Sequence, residues 1–201
     1  MKKMCLFKNF CVTISLKIWE RRFKTPRVDS EMNETLTSIM SRRSIRRFTD
    51  DSVCESTMNL VLDAGLAAPS ACAQFPVRFV VLDKKRLGEL SQVVAQKDPF
   101  QLGQWGIAVC ADTRGYQNGL AWIEDCAAAM ENMQIAGVSL GLGMLWYGVY
   151  QRAAKEPQVR TFLDLPEGVE VLGITVMGYA AEKREPRVPD KSRVRFGTWS
   201  D

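Results

Sequence analysis

The sequence contains no histidine. Its absence excludes Ser-His-Asp and Cys-His catalysis, histidine general bases and metal sites that need an imidazole ligand. Carboxylates, lysines and thiolates remain as reactive groups, together with a bound cofactor that brings its own reactivity. Any enzymatic activity of this chain therefore depends on one of these groups.

The sequence also lacks the patterns of a secreted or membrane protein. It has no C-x-x-C pair, and its cysteine spacing indicates reduced, buried thiols in a cytoplasmic protein. Near the N-terminus the apolar residues are interrupted by Lys8 and Lys17, so no run approaches the roughly 18 residues of a membrane-spanning helix. No small-x-small cleavage site follows, which argues against a signal peptide. The cysteines are Cys5, Cys11, Cys54, Cys72, Cys110 and Cys126.

Signals for nucleotide-binding and nucleic-acid-binding folds are missing as well. No G-x-G-x-x-G follows a predicted strand, and there is no P-loop, so a Rossmann fold is not expected. The net charge of +4 is unevenly distributed, because residues 1–31 carry +5 and residues 32–201 carry −1. Without an overall basic field, the main body is not expected to bind nucleic acid.

The chain length fits one domain with its own core. Residues 1–31 do not continue into the pattern that follows them. We interpret them as a basic tail that is disordered or weakly helical, or as an over-extended start upstream of Met32. The predicted domain comprises residues 32–201.

Apolar periodicity predicts helices and strands mixed around one sheet, which is an α/β or α+β domain. Helices are predicted after the N-cap Asn33 through Met40 and over residues 53–68, 84–95, 123–140 and 157–163. Strands are predicted over residues 78–82, 106–111, 144–149 and 171–177, with a loop at 112–120 and a strand-like pattern at 193–196. The charged tail that begins at Glu182 has little of its own to bury and is expected to lie on another surface, such as a partner subunit.

Residues 41–48 concentrate four arginines and a serine hydroxyl just after the first predicted helix. Guanidinium groups this close repel one another unless an anion lies between them, and planar guanidinium groups bind the oxygens of a phosphate in bidentate fashion. The alternatives are a solvated basic turn or a weak nucleic-acid patch. The run therefore predicts a phosphate site only if other motifs support it.

Four stretches in register provide that support. Residues 42–46, 67–71, 132–148 and 178–182 resemble, in order and spacing, the FMN-dependent nitroreductase family. The resemblance covers residues 32 to about 199 and implies a nitroreductase-like fold. That fold has a central mixed, largely antiparallel sheet flanked by helices, and its C-terminal arm is exchanged in a homodimer.

The resemblance assigns cofactor-binding roles within the arginine run. Arg42 and Ser44 match the phosphate and ribityl contacts, and Arg43 is expected beside the phosphate. Arg46 matches the basic residue over the pyrimidine edge of the flavin, where a fixed positive charge favours the reduced, anionic ring. Arg47 is interpreted as a solvated charge.

A second group of residues matches a turn that reaches the flavin bound mainly by the other subunit. This group is Pro69, Ser70 and Ala71, for which a simple helix stop is the alternative. Ala73 also belongs to the predicted cofactor site, although the family commonly has asparagine there, and Phe75 stands in a segment that is commonly Gln-Pro-Trp. A polar contact to flavin or substrate is expected to be lost at these departures. Cys72 is interpreted as a structural thiol.

The resemblance also assigns residues later in the chain. Tyr147 and Gly148 match the segment whose backbone N–H approaches flavin N5, where a glycine lets the main chain come close to a flat ring. Gly141 and Gly143 are interpreted as helix C-caps. Arg187 matches a basic residue of the tail that completes the phosphate site, with Lys183 and Arg184 as competitors for that role.

The activity implied by the resemblance is transfer of hydride from NADH or NADPH, through FMN, to an electron-poor acceptor such as a nitroaromatic or a quinone. The mechanism is ping-pong, no protein acid or base is obligatory, and the expected partners are a second copy of the chain and a small-molecule acceptor. Two alternatives stay open, namely another flavin reaction such as reductive dehalogenation or oxidation of a small metabolite, and non-catalytic flavin binding. A loop near residues 96–122 is expected to determine substrate choice.

Overall fold

A computed structural model of the chain describes residues 32–94 and 97–199. The predicted N-terminal tail, residues 1–31, lies outside the described residues, so the predicted division of the chain into tail and domain stays a prediction. No helix within the described ranges is both long enough and apolar enough to cross a membrane.

Six helices and four strands alternate irregularly along the described residues. The helices are α1 (Glu34–Ser41), α2 (Glu55–Leu66), α3 (Lys84–Val94), α4 (Lys97–Leu102), α5 (Trp122–Ser139) and α6 (Glu156–Phe162). The strands are β1 (Val77–Leu82), β2 (Trp105–Asp112), β3 (Gly143–Gly148) and β4 (Val169–Gly178). They form one sheet in the order β1-β2-β4-β3, and every neighbouring pair is antiparallel. The predicted α/β (α+β) class with a largely antiparallel sheet is confirmed.

The period of two along the central strands divides the core into two layers. In β2, Ala108 and Cys110 face one layer, whereas Ile107, Val109 and Ala111 face the other. Both layers are buried because helices cover both faces of the sheet, which explains why the central strands read as continuous apolar runs.

Each layer is completed by the apolar stripe of its own helices. One layer receives α3, α4 and α6, and the other receives α2 and α5. The stripe of α3 recurs at helical spacing and is fully buried at Leu87, Leu90 and Val94, as its sequence predicts.

Strand β4 contains one residue more than its neighbour can pair. Consecutive residues of β2 pair with Gly173 and Val171, so Leu172 is left without a partner on that strand. Val171 and Ile174 consequently face the same layer, although a regular strand would direct them to opposite faces. The bulge lies where β4 passes the end of β3, since Gly173 pairs with Gly148.

Two expectations from the sequence are wrong in this part of the molecule. Residues 96–122, expected to be a loop apart from the predicted strand 106–111, also contain helix α4, which has only six residues and is too short to show a periodic pattern. The strand-like residues 193–196 form no strand, and a short 3-10 turn, Lys191–Arg193, stands beside them in an exposed tail.

The first two helices bury less apolar surface than their patterns predict. Helix α2 is shorter than the predicted 53–68 and leaves Leu66 64% exposed, while Met58 and Val61 pack in the core. Leu36 and Ile39 of α1 are 45% and 43% exposed. Within one chain, these apolar side chains remain partly in contact with water.

The arginine run is an extended segment anchored across the ends of β3 and β4. Residues 44–49 form a parallel bridge with Met144 and an antiparallel bridge with Ala180. The Ile45 backbone N–H donates to the Met144 carbonyl oxygen at 2.9 Å, and the Thr49 N–H donates to Tyr179 at 2.8 Å. These bonds hold the segment in place at its two ends.

Two glycines make room for the apolar anchors of this segment. Ile45 and Phe48 are buried, and a Cβ added to Gly143 would lie 2.9 Å from Ile45, while one added to Gly178 would lie 3.1 Å from Phe48. The expectation that Gly143 caps a helix is wrong, because it lies within β3. The same expectation is confirmed for Gly141, which has a φ of 79° directly after the end of α5.

We expect Gly143→Ala to lower the free energy of unfolding by about 1–3 kcal/mol, because the added methyl group overlaps Ile45. Urea denaturation monitored by circular dichroism measures this change. Gly88→Ala on α3 is the matched control, since a Cβ there meets no atom within 4 Å, and it should raise stability by roughly 0.5–1 kcal/mol. Equal effects of the two substitutions would contradict the packing described for Ile45.

Candidate functional site

The side chains of Arg46 and Arg47 are exposed because their neighbours are buried. Ile45 and Phe48 point into the core, so the two arginines between them point outward. Their backbone N–H groups both donate to one carboxylate oxygen of Glu182, at 2.5 Å from Arg46 and 3.3 Å from Arg47. These bonds, the first above all, and the nearby Arg184 guanidinium hold the pKa of Glu182 below its usual value. The carboxylate therefore stays ionised and fixes the backbone of both arginines.

The other members of the arginine run lie toward α1 and α5. Arg42 is only partly exposed, and its Nε atom lies 3.0 Å from a carboxylate oxygen of Glu131 on α5. Arg43 is half-buried, and Ser44 stands at the bridge to β3 with no hydrogen-bond partner for its hydroxyl among the described residues. Three groups suited to an anion thus follow one another along the segment, with Glu131 balancing one positive charge.

A cavity of about 470 Å³ opens beside Arg46 and the end of β3. The structure brings Arg46 together there with the adjacent pair Tyr147 and Gly148, which lies far from it in the chain. The complete lining consists of Arg46, Leu145, Trp146, Tyr147, Gly148, Arg152, Ala153, Ala154 and Lys155.

The lining carries positive charge without a matching carboxylate. Arg46, Arg152 and Lys155 contribute three cationic side chains, and none of the nine described lining residues is acidic. The Lys155 ammonium lies 5.2 Å from the centre of the Tyr147 ring, within the range of a cation–π interaction. A ligand with delocalised or negative charge is favoured in such a cavity.

Strand β3 is the edge of the sheet and exposes backbone groups to the cavity. Along an antiparallel edge strand the N–H and C=O groups of alternate residues point away from the paired strand. The backbone carbonyl group of Met144 points away from β4, because its oxygen accepts a hydrogen bond from the Ile45 N–H. The same alternation directs the N–H groups of Trp146 and Gly148 away from β4, toward the edge that the cavity borders.

Among the described residues, nothing packs closely enough against Gly148 to require a glycine there. A Cβ built there meets no protein atom within 4 Å, and its φ is not in the left-handed region. The free space over an edge-strand N–H fits a flat ring that must approach the backbone closely. The cavity, its cationic lining and this open backbone fit a flavin mononucleotide.

The turn at residues 69–75 is fixed by one buried carboxylate, Asp125 of α5. Ser70 Oγ donates to Asp125 Oδ2 at 2.8 Å, and the Ala71 N–H donates to Oδ1 at 2.8 Å. Tyr116 donates its hydroxyl to Oδ2 at 3.1 Å. Its pKa is raised, chiefly by desolvation and then by this carboxylate, which keeps the hydroxyl protonated as a donor.

Backbone strain is concentrated in the same turn. Cys72, Ala73 and Phe75 have φ values of 51°, 54° and 47°, a region that side chains other than glycine rarely adopt. Ser70 Oγ accepts from the Phe75 N–H at 2.9 Å while it donates to Asp125, so one hydroxyl ties both ends of the strained stretch. The conformation is therefore held by the core and not by the exposed residues themselves.

A single chain does not bring all the predicted site residues together. None of residues 69–75 lines the cavity beside Arg46, so Pro69, Ser70, Ala71 and Ala73 form a separate group. Arg187 lies in the exposed tail, where no hydrogen bond or ion pair joins it to another described residue.

Sequence reasoning missed several residues of the site. Arg152 and Lys155 follow Gly148 closely in sequence and could have been found as basic residues after a predicted strand. Asp125 lies 55 residues after Ser70 in the chain, Glu131 lies even further from Arg42, and both resemble any helical carboxylate in sequence. Glu182 was part of a recognised motif, but its bonds to the arginine backbone have no signal in sequence.

The thiols agree only in part with the prediction that they are reduced and buried. Cys110 and Cys126 are buried, and burial raises the pKa of Cys110 to about 12. Cys54 and Cys72 are exposed, and hydrogen bonds from Ser56 and Thr57 lower the pKa of Cys54 to about 7. All four are free, whereas Cys5 and Cys11 lie outside the described residues. Within the described residues, no cluster of cysteine, aspartate and glutamate side chains could hold a metal ion.

Comparison with known proteins agrees with this geometry. The sequence model of the nitroreductase family matches residues 39–105 and 117–179. A protein of Archaeoglobus fulgidus assigned the name NADH dehydrogenase/NAD(P)H nitroreductase is 32% identical over 157 residues, which are 77% of this chain and 90% of the relative. The FMN reductase (NAD(P)H) of Bacillus subtilis is 26% identical over 182 residues, which are 80% of this chain and 72% of that protein.

A solved structure shares the fold. A protein of Desulfovibrio desulfuricans assigned as a nitroreductase, in complex with FMN, superposes with a TM-score of 0.70 at 28% identity. The superposition covers 79% of this chain and 94% of that chain. The fold and an FMN complex therefore occur together in a structure similar to this one.

We expect Asp125→Ala to destabilise the protein by roughly 2–4 kcal/mol, because it leaves the Ser70 hydroxyl and the Ala71 N–H without their acceptor. Urea denaturation measures the loss, and proteolysis should become faster between residues 70 and 75. Glu124→Ala is the control, since Glu124 is the exposed neighbour on the same helix and should change stability by less than about 0.5 kcal/mol. A turn that stays resistant to protease without Asp125 would contradict this account.

Proposed function

The chain belongs to the nitroreductase family, and we propose that it is an FMN-dependent oxidoreductase that transfers hydride from NADH or NADPH to an electron-poor small molecule. Nitroaromatics and quinones are the proposed class of acceptor. FMN, when bound, supplies the hydride-transfer chemistry that a chain without histidine does not supply itself. The protein contributes binding, charge and access.

The observation that carries the proposal is the open backbone at Gly148. A strand residue with no side chain, no crowding atom and an outward N–H is what a flat ring bearing a hydrogen-bond acceptor requires. Tyr147 orients this position from the other side of the strand, because its buried ring packs edge-on against Phe100 at 5.1 Å. The backbone donor is thus presented by a rigid part of the core.

The arginine segment supplies the proposed charge complement. Arg42, Arg43 and Ser44 would hold the phosphate and ribityl groups, with Arg187 of the tail as a further phosphate ligand. Arg46, which lines the cavity with Gly148, would lie over the pyrimidine edge. A fixed guanidinium there stabilises negative charge that develops on reduction, and it needs no rearrangement because its backbone is already bonded to Glu182.

A homodimer would complete the site. The turn at residues 69–73 lies apart from the cavity of its own chain, so we propose that it meets the cofactor held by a partner subunit. The tail from residue 183 to 199 is exposed throughout, and exchange of this arm would cover its apolar side chains. Those side chains include Val188, Phe196 and Trp199, which are 90%, 93% and 83% exposed.

The function is tested by the visible absorption of the purified protein before and after anaerobic addition of NADH and of NADPH. We expect a flavin spectrum that bleaches with a nicotinamide and returns when a quinone or nitroaromatic is added. Parallel lines in double-reciprocal plots of initial rates would support the ping-pong order. Protein that stays colourless after incubation with FMN contradicts the proposal, and a flavin that no nicotinamide reduces supports non-catalytic binding or a different flavin reaction.

We expect Gly148→Val to weaken FMN binding by about tenfold or more, because the added side chain occupies the space that the ring must enter. The free energy of unfolding of the FMN-free protein should change by less than about 0.5 kcal/mol, since a Cβ at this position meets no atom of the described residues within 4 Å. Fluorescence titration with FMN and urea denaturation measure the two quantities. Val81→Leu, which adds bulk at an exposed position of β1, should leave FMN binding unchanged.

A further inference from the structure

A second cavity of about 410 Å³ adjoins the first at Arg46. It lies where three parts of the chain converge, namely the arginine segment, the start of α4 and the chain just after β4. Its lining consists of Arg46, Arg47, Lys97, Asp98, Pro99, Glu182 and Arg184. Since Arg46 lines both cavities, one extended ligand could occupy both.

The positive charge of this cavity exceeds its negative charge. Four lining side chains are basic and two are acidic. Glu182 is already engaged, because it accepts from the backbone of Arg46 and Arg47 and from the Arg184 guanidinium at 2.9 Å. Glu182 therefore neutralises Arg184 and the backbone N–H groups, and it makes no bond to the side chains of Arg46, Arg47 or Lys97.

The remaining cations have little to neutralise them. Among the described residues, no ion pair or hydrogen bond engages the side chains of Arg47 and Lys97, and both are exposed. Asp98 is the one other carboxylate of the lining. Arg46, Arg47 and Lys97 thus face one acidic residue, an arrangement that favours a ligand carrying a multiply charged anion such as a phosphate monoester.

The backbone of this cavity is organised in advance. Arg46 and Arg47 belong to the segment held by Glu182 and by the buried anchors Ile45 and Phe48. Lys97 begins α4, which is fixed in the core by the fully buried Phe100. Because the backbone from which these side chains extend is positioned before a ligand arrives, binding requires ordering of the side-chain ends only.

We propose that this cavity receives the 2′-phosphate of NADPH and makes the enzyme prefer NADPH to NADH. The inference rests on the proposed function, in which a nicotinamide dinucleotide delivers hydride to FMN held in the adjoining cavity. NADH and NADPH differ only in that phosphate, which lies on the adenosine ribose across the pyrophosphate from the nicotinamide, so a cationic cavity that receives the adenosine end of the dinucleotide distinguishes the two. Arg47 and Lys97 are the proposed phosphate ligands, and the interpretation of Arg47 as a merely solvated charge is replaced.

Selectivity is measured as the ratio of kcat/KM for NADPH to kcat/KM for NADH. We expect Lys97→Ala and Arg47→Ala each to lower this ratio by about tenfold, because each removes one charge-assisted contact to the phosphate. Lys85→Ala is the matched control, since Lys85 is an exposed lysine of α3 outside the cavity, and it should leave the ratio unchanged. A ratio that none of the variants alters overturns the proposal.

Direct binding gives a second readout that does not depend on turnover. Isothermal titration calorimetry compares 2′,5′-ADP, the adenosine half of NADPH, with 5′-AMP, the adenosine half of NADH. We expect the FMN-loaded protein to bind 2′,5′-ADP more tightly, and Lys97→Ala to remove most of the difference. Lys97→Arg, which keeps the charge, should restore much of it.

Other outcomes assign the cavity differently. An equal loss of affinity for NADPH and NADH would place the shared pyrophosphate there, and a loss of FMN affinity would place the FMN phosphate there. Either result overturns the proposal while the proposed oxidoreductase function stands. If the wild-type protein holds no FMN, the proposed function fails first, and tighter binding of 2′,5′-ADP by the FMN-free protein would then identify the cavity as a site for that nucleotide alone.

Discussion

The anchoring of residues 44–49 across the ends of two strands is the constraint on which the rest of the site depends. Buried side chains at Ile45 and Phe48 determine that the arginines between them point outward. Backbone bonds to Met144 and Tyr179 determine where along the sheet the arginines stand. Cationic side chains repel one another, so the cost of collecting them is met by apolar burial, by backbone hydrogen bonds and by the Glu182 carboxylate. The arginines are therefore brought together by the packing of uncharged neighbours, Ile45 and Phe48.

A buried carboxylate has a comparable role at the turn of residues 69–75. Asp125 is buried near the start of α5. Its carboxylate accepts hydrogen bonds from the Ser70 hydroxyl and from the Ala71 backbone N–H. Three residues with positive φ are held in place by this one group and by Ser70. Two carboxylates therefore position the two predicted parts of the cofactor site: Glu182 holds the arginine segment and Asp125 holds the turn. Neither carboxylate belongs to a charge pattern in the sequence.

The sequence predicts the elements that repeat and the residues that motifs carry. The stripe of α3 and the apolar runs of β2 and β4 indicated their structure because several turns or residues repeat the same environment. Helix α4 is too short to repeat anything, and the strand-like residues 193–196 have the right pattern but no neighbouring strand in this chain. Arg46, Tyr147 and Gly148 were identified as one group through a resemblance. The roles of Glu182 and Asp125 could not be identified in this way, because their hydrogen-bond partners come together only in the folded chain and leave no local pattern in the sequence.

Pairing of β4 with both β2 and β3 makes the number of residues in the last strand more critical than their identity. Valine, isoleucine and leucine could replace one another along β4 at modest cost. Removal of a single residue from the regularly paired stretch between Gly173 and Gly178 would instead turn one half of the strand over, sending side chains of each helical layer into the other and shifting Gly173 from its place opposite Gly148. Point substitutions are therefore far better tolerated along this strand than insertions or deletions, and the cavity would be lost through a change of length that leaves every one of its own residues intact.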